Sequence, residues 1–361
     1  MLAIGLMSGT SRDGIDAALI DTDGEGQVQA VEFHAMAYDE GFRLRLAEAC
    51  QRAMAMEKPD FEPLIASVEA ELTELHVQAV ADLLGRSGHI AEDIGVIGFH
   101  GHTVAHRPDR GWTWQIGDGG SLAGAFGIAV VADLRSADVA AGGQGAPLMP
   151  VYHRALAQGL EKPAAVLNLG GVANITFIGS DGTLIAFDTG MASGLIDNWM
   201  QTHGQAAYDA GGACAARGEV DEARLAAMMA DPWFDLPPPK SIDREAFSIE
   251  AVRGLSLEDG AATLTAFTAA AVARGLDQLP ERPTRIYAAG GGRHNDTLMA
   301  MLAQRTGAEM LSVDGLGWDG DALEAQGFAY MAVRHLKGLP ISFPGTTGVP
   351  APMTGGVLFR A

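Results

Sequence analysis

Gly5-Leu6-Met7-Ser8-Gly9-Thr10-Ser11-Arg12-Asp13-Gly14-Ile15-Asp16 decides the reading of the fold. On either side of its polar centre, residues 4–7 and 15–21 show the short apolar, β-branched alternation of strands. The chain between them carries hydroxyls at Ser8, Thr10 and Ser11, a carboxylate at Asp13, and glycines at both ends. A backbone without Cβ can approach phosphate oxygens and offer them N–H donors. The segment therefore reads either as an ordinary hairpin loop or as a phosphate cradle whose Asp13 could hold a hydrated magnesium ion.

Outward from this stretch the design recurs once. Residues 164–169, the turn Gly170-Gly171-Val172-Ala173-Asn174 and residues 175–178 again read strand, glycine turn, strand. Further strands are expected at 94–99, 128–132, 183–188 and 285–289, the last running into Gly290-Gly291-Gly292. Helices are expected at 61–85, 120–126, 193–203, 261–279 and 321–336, where apolar residues recur at three and four. The interleaving makes the class α/β. Two halves that each open on a glycine-turned hairpin point to a duplicated fold with a cleft between the copies, and three glycine turns around a cleft favour a nucleotide.

Composition narrows the function from the other side. With 48% hydrophobic and 19% charged residues in 361, the chain is neither disordered nor collagen-like, and it is long enough for two cores. Lys and Arg number 24 against 45 Asp and Glu, a net charge of −21, which argues against a grip on nucleic acid and against membrane surfaces. The two cysteines, Cys50 and Cys214, make no framework or zinc spacing and suit a reducing compartment. The N-terminus lacks a basic n-region, and the longest apolar run, 264–273, falls short of a membrane span, so a cytoplasmic protein is expected.

The chain has no G-x-x-x-x-G-K-[ST], which removes the P-loop NTPases. Gly315-Leu316-Gly317-Trp318-Asp319-Gly320 has the form of a dinucleotide fingerprint but no room for its βαβ unit, and reads as a loop. Asp188, in Phe187-Asp188-Thr189-Gly190, stands at a strand end before the expected helix at Ser193. A carboxylate beside a helix N-terminus suits phosphoryl transfer, and equally suits a turn or cap. Glu324 follows Asp321 by three residues and reads as half of a capping box or as a substrate ligand. His100, His102 and His106 lack the neighbouring carboxylate or Cys of a usual zinc site. Lys240, in Pro237-Pro238-Pro239-Lys240-Ser241, is either an anion contact or a solvated loop lysine.

Taken in order, these and other segments resemble one family. Beside the opening stretch stand His100-Gly101 with Thr103, Gln115-Ile116-Gly117-Asp118, Val131-Ala132-Asp133-Leu134-Arg135 and Gly142-Gly143-Gln144-Gly145-Ala146-Pro147-Leu148. Asn168-Leu169-Gly170-Gly171 with Asn174, Phe187-Asp188-Thr189-Gly190, and Pro239-Lys240-Ser241 with Arg244-Glu245 follow. Ala289-Gly290-Gly291-Gly292 with Asn295, and Leu323-Glu324-Ala325 with Phe328-Ala329, complete the series. It is similar to the anhydro-N-acetylmuramic acid kinases over nearly the whole chain. The resemblance implies the fold shared by actin, sugar kinases and heat-shock chaperone ATPases, two ribonuclease-H-like lobes closing on ATP. The first lobe would take 1–145 plus about 330–361, with a phosphate hairpin and the sugar contacts. The second would take 146–329, with the other hairpin, the catalytic Asp and the adenosine site.

The implied reaction opens the 1,6-anhydro bridge with water at C1 while the freed O6 takes the γ-phosphoryl group of ATP, giving N-acetylmuramic acid 6-phosphate and ADP in cell-wall recycling. By position, Asp188 would activate the water. Gly9, Thr10, Ser11, Arg12, Asp13, Gly14, Ile15 and Asp16 would cradle the phosphates. Asn168, Gly170, Gly171, Asn174, Gly290, Gly291 and Gly292 would make the remaining phosphate and adenosine contacts. Arg135, Glu324 and His100 would face the sugar, Arg135 pairing with its lactyl carboxylate. Many kinases of this fold carry Asp where Ser8 stands, so Asp13 and Asp188 are the implied magnesium ligands, and a homodimer is the implied assembly. Two positions depart from the family: Met191-Ala192-Ser193 replaces Pro-Gly-Asn after Gly190, and His102 replaces Gln. They keep alternatives open: a kinase for a simpler anhydro sugar such as levoglucosan, a plain hexokinase-like enzyme, or an ATP-binding homologue without the chemistry.

Overall fold

In a computed structural model that describes residues 1–242 and 246–361, the chain forms two compact units, Met1–Gln158 with Ala322–Ala361, and Gly159–Asp321. The first unit is built on a sheet that opens with an antiparallel meander, β1 (Leu2–Ser8), β2 (Gly14–Thr22) and β3 (Val28–Ala37). On its other side β1 runs parallel to β4 (Val96–Arg107), against whose outer half β5 (Trp112–Ile116) folds back. The parallel β6 (Val130–Ala132) and the antiparallel strand Val357–Phe359 finish the sheet.

Alternation along β1 and β2 sends Ile4, Leu6, Ile15, Ala17 and Leu19 into one core, shared with Phe42 and Leu46 of α1 (Glu40–Met54) and Leu72, Val80 and Leu83 of α2 (Pro63–Ser87). Asp39 caps α1 by accepting from the Phe42 N–H at 2.8 Å, and Glu62 caps α2 through Ile65 at 2.9 Å. The opposite face carries glycine because a helix lies directly on it. A Cβ on Gly5 would stand 1.8 Å from the Ala325 carbonyl oxygen, and one on Gly98 2.0 Å from that of Phe328, both in the helix Leu323–Leu336.

The second unit repeats the order. Antiparallel β7 (Ala164–Leu169), β8 (Val172–Ile178) and β9 (Leu184–Met191) are joined by β10 (Arg285–Ala289), parallel to β7, and β11 (Glu309–Ser312), parallel to β10. Both units thus have the three-strand meander and two parallel strands of a ribonuclease-H-like sheet. The helix Leu257–Leu276, capped by Ser256 accepting from the Asp259 N–H, packs Ala269, Val272 and Leu276 into the core of this sheet.

Several boundaries differ from expectation. The divisions expected at 145/146 and 329/330 fall inside the first unit, because the helix Pro150–Leu156 packs there: Tyr152 donates to Gln326 Oε1 at 2.8 Å and its ring lies 5.4 Å from that of Tyr330. The helix expected at 193–203 is α-helical only over Ser193–Trp199 and continues as a π-helical turn, Met200–Gly204, closed by Gln205 in the left-handed region. β3 and α1 were not expected at all.

Candidate active site

Between β1 and β2, Arg12 sits at φ 58° and its N–H returns to the Gly9 carbonyl at 3.0 Å, closing a turn that leaves Thr10, Ser11 and Asp13 exposed. Ser11 donates to Asp13 Oδ1 at 2.7 Å. Ser8 does not share this exposure. Its hydroxyl is buried under the turn, 2.7 Å from Tyr38 Oη and 2.9 Å from His102 Nδ1, and His102 Nε2 lies 3.7 Å from Cys50 Sγ. Burial lowers His102 to about 4 and raises Cys50, so a neutral imidazole and a thiol complete a hydrogen-bonded chain that supports the turn from beneath. Ile15 gives its side chain to the core, and Asp16 lies within β2 opposite Met7, since the strand has already begun at Gly14.

The three residues expected at the sugar come together in the first unit. Arg135 donates from Nε to His100 Nε2 at 3.0 Å and from Nη1 to the Gly145 carbonyl at 2.7 Å. His100 must then carry its proton on Nδ1, where it donates to Gly101 O at 2.9 Å, and burial, with the Arg135 charge, keeps it neutral. Gly145 is itself held by Asp138, which accepts from the Gly145 N–H and from Thr347 Oγ1, both at 2.6 Å. Glu324 reaches solvent yet is hemmed in by protein, which raises its carboxyl against the opposing pull of Arg135. The capping-box reading fails: the helix opens after Ala322 without a side-chain cap, and Asp321 accepts from Arg293 instead.

In the second unit the ladder aligns Asn168, Asn174 and Asp188 directly across three strands, a row no sequence spacing revealed. Partners opposite one another share a face. The Asp188 N–H donates to the Lys240 carbonyl at 2.9 Å, and Asp188 Oδ2 accepts from the Ile242 N–H at 2.9 Å. Burial pushes this carboxyl up to about 7 against the Ile242 hydrogen bond, which favours the ion. Lys240 is no solvated loop lysine, being buried with its Nζ on the carbonyls of Trp233 and Phe234. Its motif partners Arg244 and Glu245 lie outside the described residues.

Gly290, at φ 75°, fits against the turn of the second hairpin so closely that a Cβ would meet Asn168 Oδ1 at 2.5 Å. The expected helix terminus behaves otherwise than read. The N–H groups of Ala192, Ser193 and Gly194 donate to the carbonyls of Gly171, Gly170 and Gly171, stapling the helix to that turn. Met191 and Ala192 are buried, Met191 opposite Val172, so the departing segment extends β9 by pairing. A cavity of about 520 Å³ opens beside these elements, lined among others by Gly291, Gly292, Asn295, Ile196, Asp197 and Tyr208. Ile196, Asp197 and Tyr208 were missed; the signal available was the glycine pair after Tyr208-Asp209-Ala210.

Among the described residues no group of three or more His, Cys, Asp or Glu is arranged for a metal ion, and the three histidines of β4 and its bend have separate partners. The glycine segment 315–320 begins in a 3₁₀ turn, Val313–Leu316, closed by Gly317 in the left-handed region, and connects β11 to the helix Leu323–Leu336, with Arg293 on Asp314 at 2.9 Å beside it. No described helix is long and apolar enough to cross a membrane.

Over 92% of this chain and 98% of the other, the structure is similar to component A of (R)-2-hydroxyglutaryl-CoA dehydratase from Acidaminococcus fermentans, with a TM-score of 0.51 at 12% identity, a likeness of fold alone. The chain is 62% identical over 361 residues to an anhydro-N-acetylmuramic acid kinase of Rhizorhabdus wittichii, covering 100% of this chain and 99% of that protein. It is 55% identical to one of Zymomonas mobilis, covering 99% of each. The model of the family described as anhydro-N-acetylmuramic acid kinase matches residues 1–361, and the chain belongs to that family.

Proposed function

We propose that the protein is an ATP-dependent hydrolytic kinase that converts 1,6-anhydro-N-acetylmuramic acid, water and ATP to N-acetylmuramic acid 6-phosphate and ADP, as part of cell-wall recycling. The observation that carries this reading is the state of Asp188, a carboxyl within β9 that desolvation raises to about 7. A general base works best when its pKa lies near the operating pH, because it is then both ionised and basic. Asp188 takes a proton from water as the oxygen bonds to C1. The C1–O6 bond breaks with its electron pair on O6, O6 takes the γ-phosphoryl group, ADP leaves, and the proton on Asp188 is released to solvent.

Arg135 has two donor positions committed to His100 and Gly145, which fixes the plane of its guanidinium for a carboxylate such as the lactyl group. Glu324, coupled to Arg135, is assigned to the sugar hydroxyls. The exposed turn of Thr10, Ser11 and Asp13 and the glycines at 170, 171 and 290–292 are assigned to the phosphates, and the 520 Å³ cavity to the nucleoside. Magnesium, when bound, neutralises phosphate charge. It takes one or two carboxylates and otherwise water and phosphate oxygens, which Asp13 with Ser11 fits, while Asp188 is reserved as the base. The same reading makes the protein a cytoplasmic homodimer, which light scattering on the purified protein checks.

ADP release with ATP and magnesium should depend on 1,6-anhydro-N-acetylmuramic acid and stay at background with levoglucosan, N-acetylmuramic acid or no sugar. In labelled water, solvent oxygen should enter the anomeric hydroxyl as it forms. Asp188→Asn should lower kcat roughly 10²- to 10⁴-fold while ATP binding is kept; a near-normal rate in that variant removes Asp188 as the base.

A further inference from the structure

We propose that Lys240 is a positioning residue for Asp188, its ammonium pinning the segment whose backbone brackets the catalytic carboxyl. The inference rests on Asp188 being the base. Residues 237–242 have no regular secondary structure, yet they supply two contacts to Asp188, the Lys240 carbonyl to its N–H and the Ile242 N–H to its Oδ2. Something other than a ladder must hold them.

Lys240 does so by looping back on the chain. Its Nζ donates to the Phe234 carbonyl at 3.0 Å and the Trp233 carbonyl at 3.3 Å, and stands 4.5 Å from the centre of the Trp233 ring. The Trp233 indole N–H returns to the Ser241 carbonyl at 3.1 Å. The anchor end is rigid. Phe234 is buried against Phe267 and Phe247, and Gln278 also donates to its carbonyl at 2.8 Å. A path of direct contacts therefore runs from the aromatic core through the ammonium to residues 240–242 and on to the carboxylate.

Burial draws the ammonium down to about 8, and among the described residues Asp235 and Arg274, paired to each other, are the charged groups that act on it. Among the described residues, burial and the Ile242 N–H are what set the Asp188 carboxyl. A buried lysine with no carboxylate partner among the described residues is costly. A role in holding the base accounts for it. Because a hydrogen bond to the ionised form lowers a carboxyl pKa, loosening the segment must raise Asp188 further.

The test is the pH dependence of kcat/KM for the anhydro sugar at saturating ATP and magnesium, in the full chain, for the parent, Lys240→Met and Trp233→Phe. Trp233→Phe keeps the ring under the ammonium but removes the donor to Ser241, loosening the same segment by a second route. Lys240→Met is expected to move the acid limb up by roughly one pH unit and to lower kcat with the KM for ATP little changed. Trp233→Phe should move it the same way by less. A folded Lys240→Met with an unmoved limb overturns the proposal, and if that variant does not fold, an unmoved limb in Trp233→Phe does so. Failure of the underlying reading looks different, since Asp188→Asn would then retain its rate whatever the Lys240 variants do.

Discussion

A carboxyl that titrates near pH 7 in the folded protein changes the folding equilibrium as well as the chemistry. Asp188 is raised from an ordinary 3.8 to about 7, so between those values the folded chain holds a proton that the unfolded chain has released. Stability supplied by this group is full below pH 4 and is lost as pH rises through 7. Asn carries no such proton. We expect Asp188→Asn to melt higher than the parent at pH 8, by at most roughly 4 kcal/mol of stability, with the difference vanishing near pH 4. Melting curves of both proteins at the two pH values check the sign; equal melting at pH 8 would mean the carboxyl is ionised without cost. That Phe187-Asp188-Thr189-Gly190 carries a strand was legible, but the end expected at Asp188 was not found there, because pairing with β8 carries β9 on to Met191. The environment of Asp188 was not legible, because the bond from Ile242 comes from 54 residues away. The capping box at Asp321 and Glu324 misled for a related reason: local spacing permits it, but Arg293 takes the Asp321 carboxylate from a distance of 28 residues.

Elements were legible where burial leaves a short apolar run between turn residues. The β1–β2 and β7–β8 hairpins showed themselves because their strands are buried on both faces over most of their length and are joined by glycine-bearing polar turns. β3 gave no such pattern, since nearly all of Val28–Ala37 is exposed or half-exposed at the sheet edge. α1 does carry a signal in the sequence, Phe42, Leu46, Ala49 and Ala53 at helical spacing behind Asp39. What no periodicity tells is why a strand contains glycine. Gly5 faces the helix Leu323–Leu336, where a Cβ would lie 1.8 Å from one backbone oxygen and 2.5 Å from the Ala329 nitrogen. Neither backbone atom can turn aside. Gly5→Ala should therefore cost about 2–3 kcal/mol or more through overpacking, whereas Gly88→Ala, at the exposed end of α2 with φ 73° and open space around it, should cost only about 1 kcal/mol. Denaturant midpoints at constant slope compare the two; a Gly5→Ala protein as stable as Gly88→Ala would mean the helix can lift from the sheet.

At the scale of the whole molecule, duplication was visible as two glycine-turned hairpins, but the path of the chain between the copies was not. The second unit, Gly159–Asp321, is one continuous stretch with its own sheet and two apolar clusters, whereas the first is closed by the chain's last forty residues. Those residues supply the helix that covers β1, β2 and β4, and the strand that pairs with β6. Removing 322–361 would strip one face of the first sheet and expose the glycines that were shaped to receive the helix. The second sheet would keep every strand and its covering helix Leu257–Leu276. A chain ending at Asp321 should then lose the cooperative unfolding of its first unit and be digested from the N-terminal side, leaving a protease-resistant fragment that begins near Gly159. Limited proteolysis with mass spectrometry reads the boundary directly. A fragment beginning near position 146 would restore the division expected from the sequence, and digestion throughout would mean that the second unit does not fold without the first.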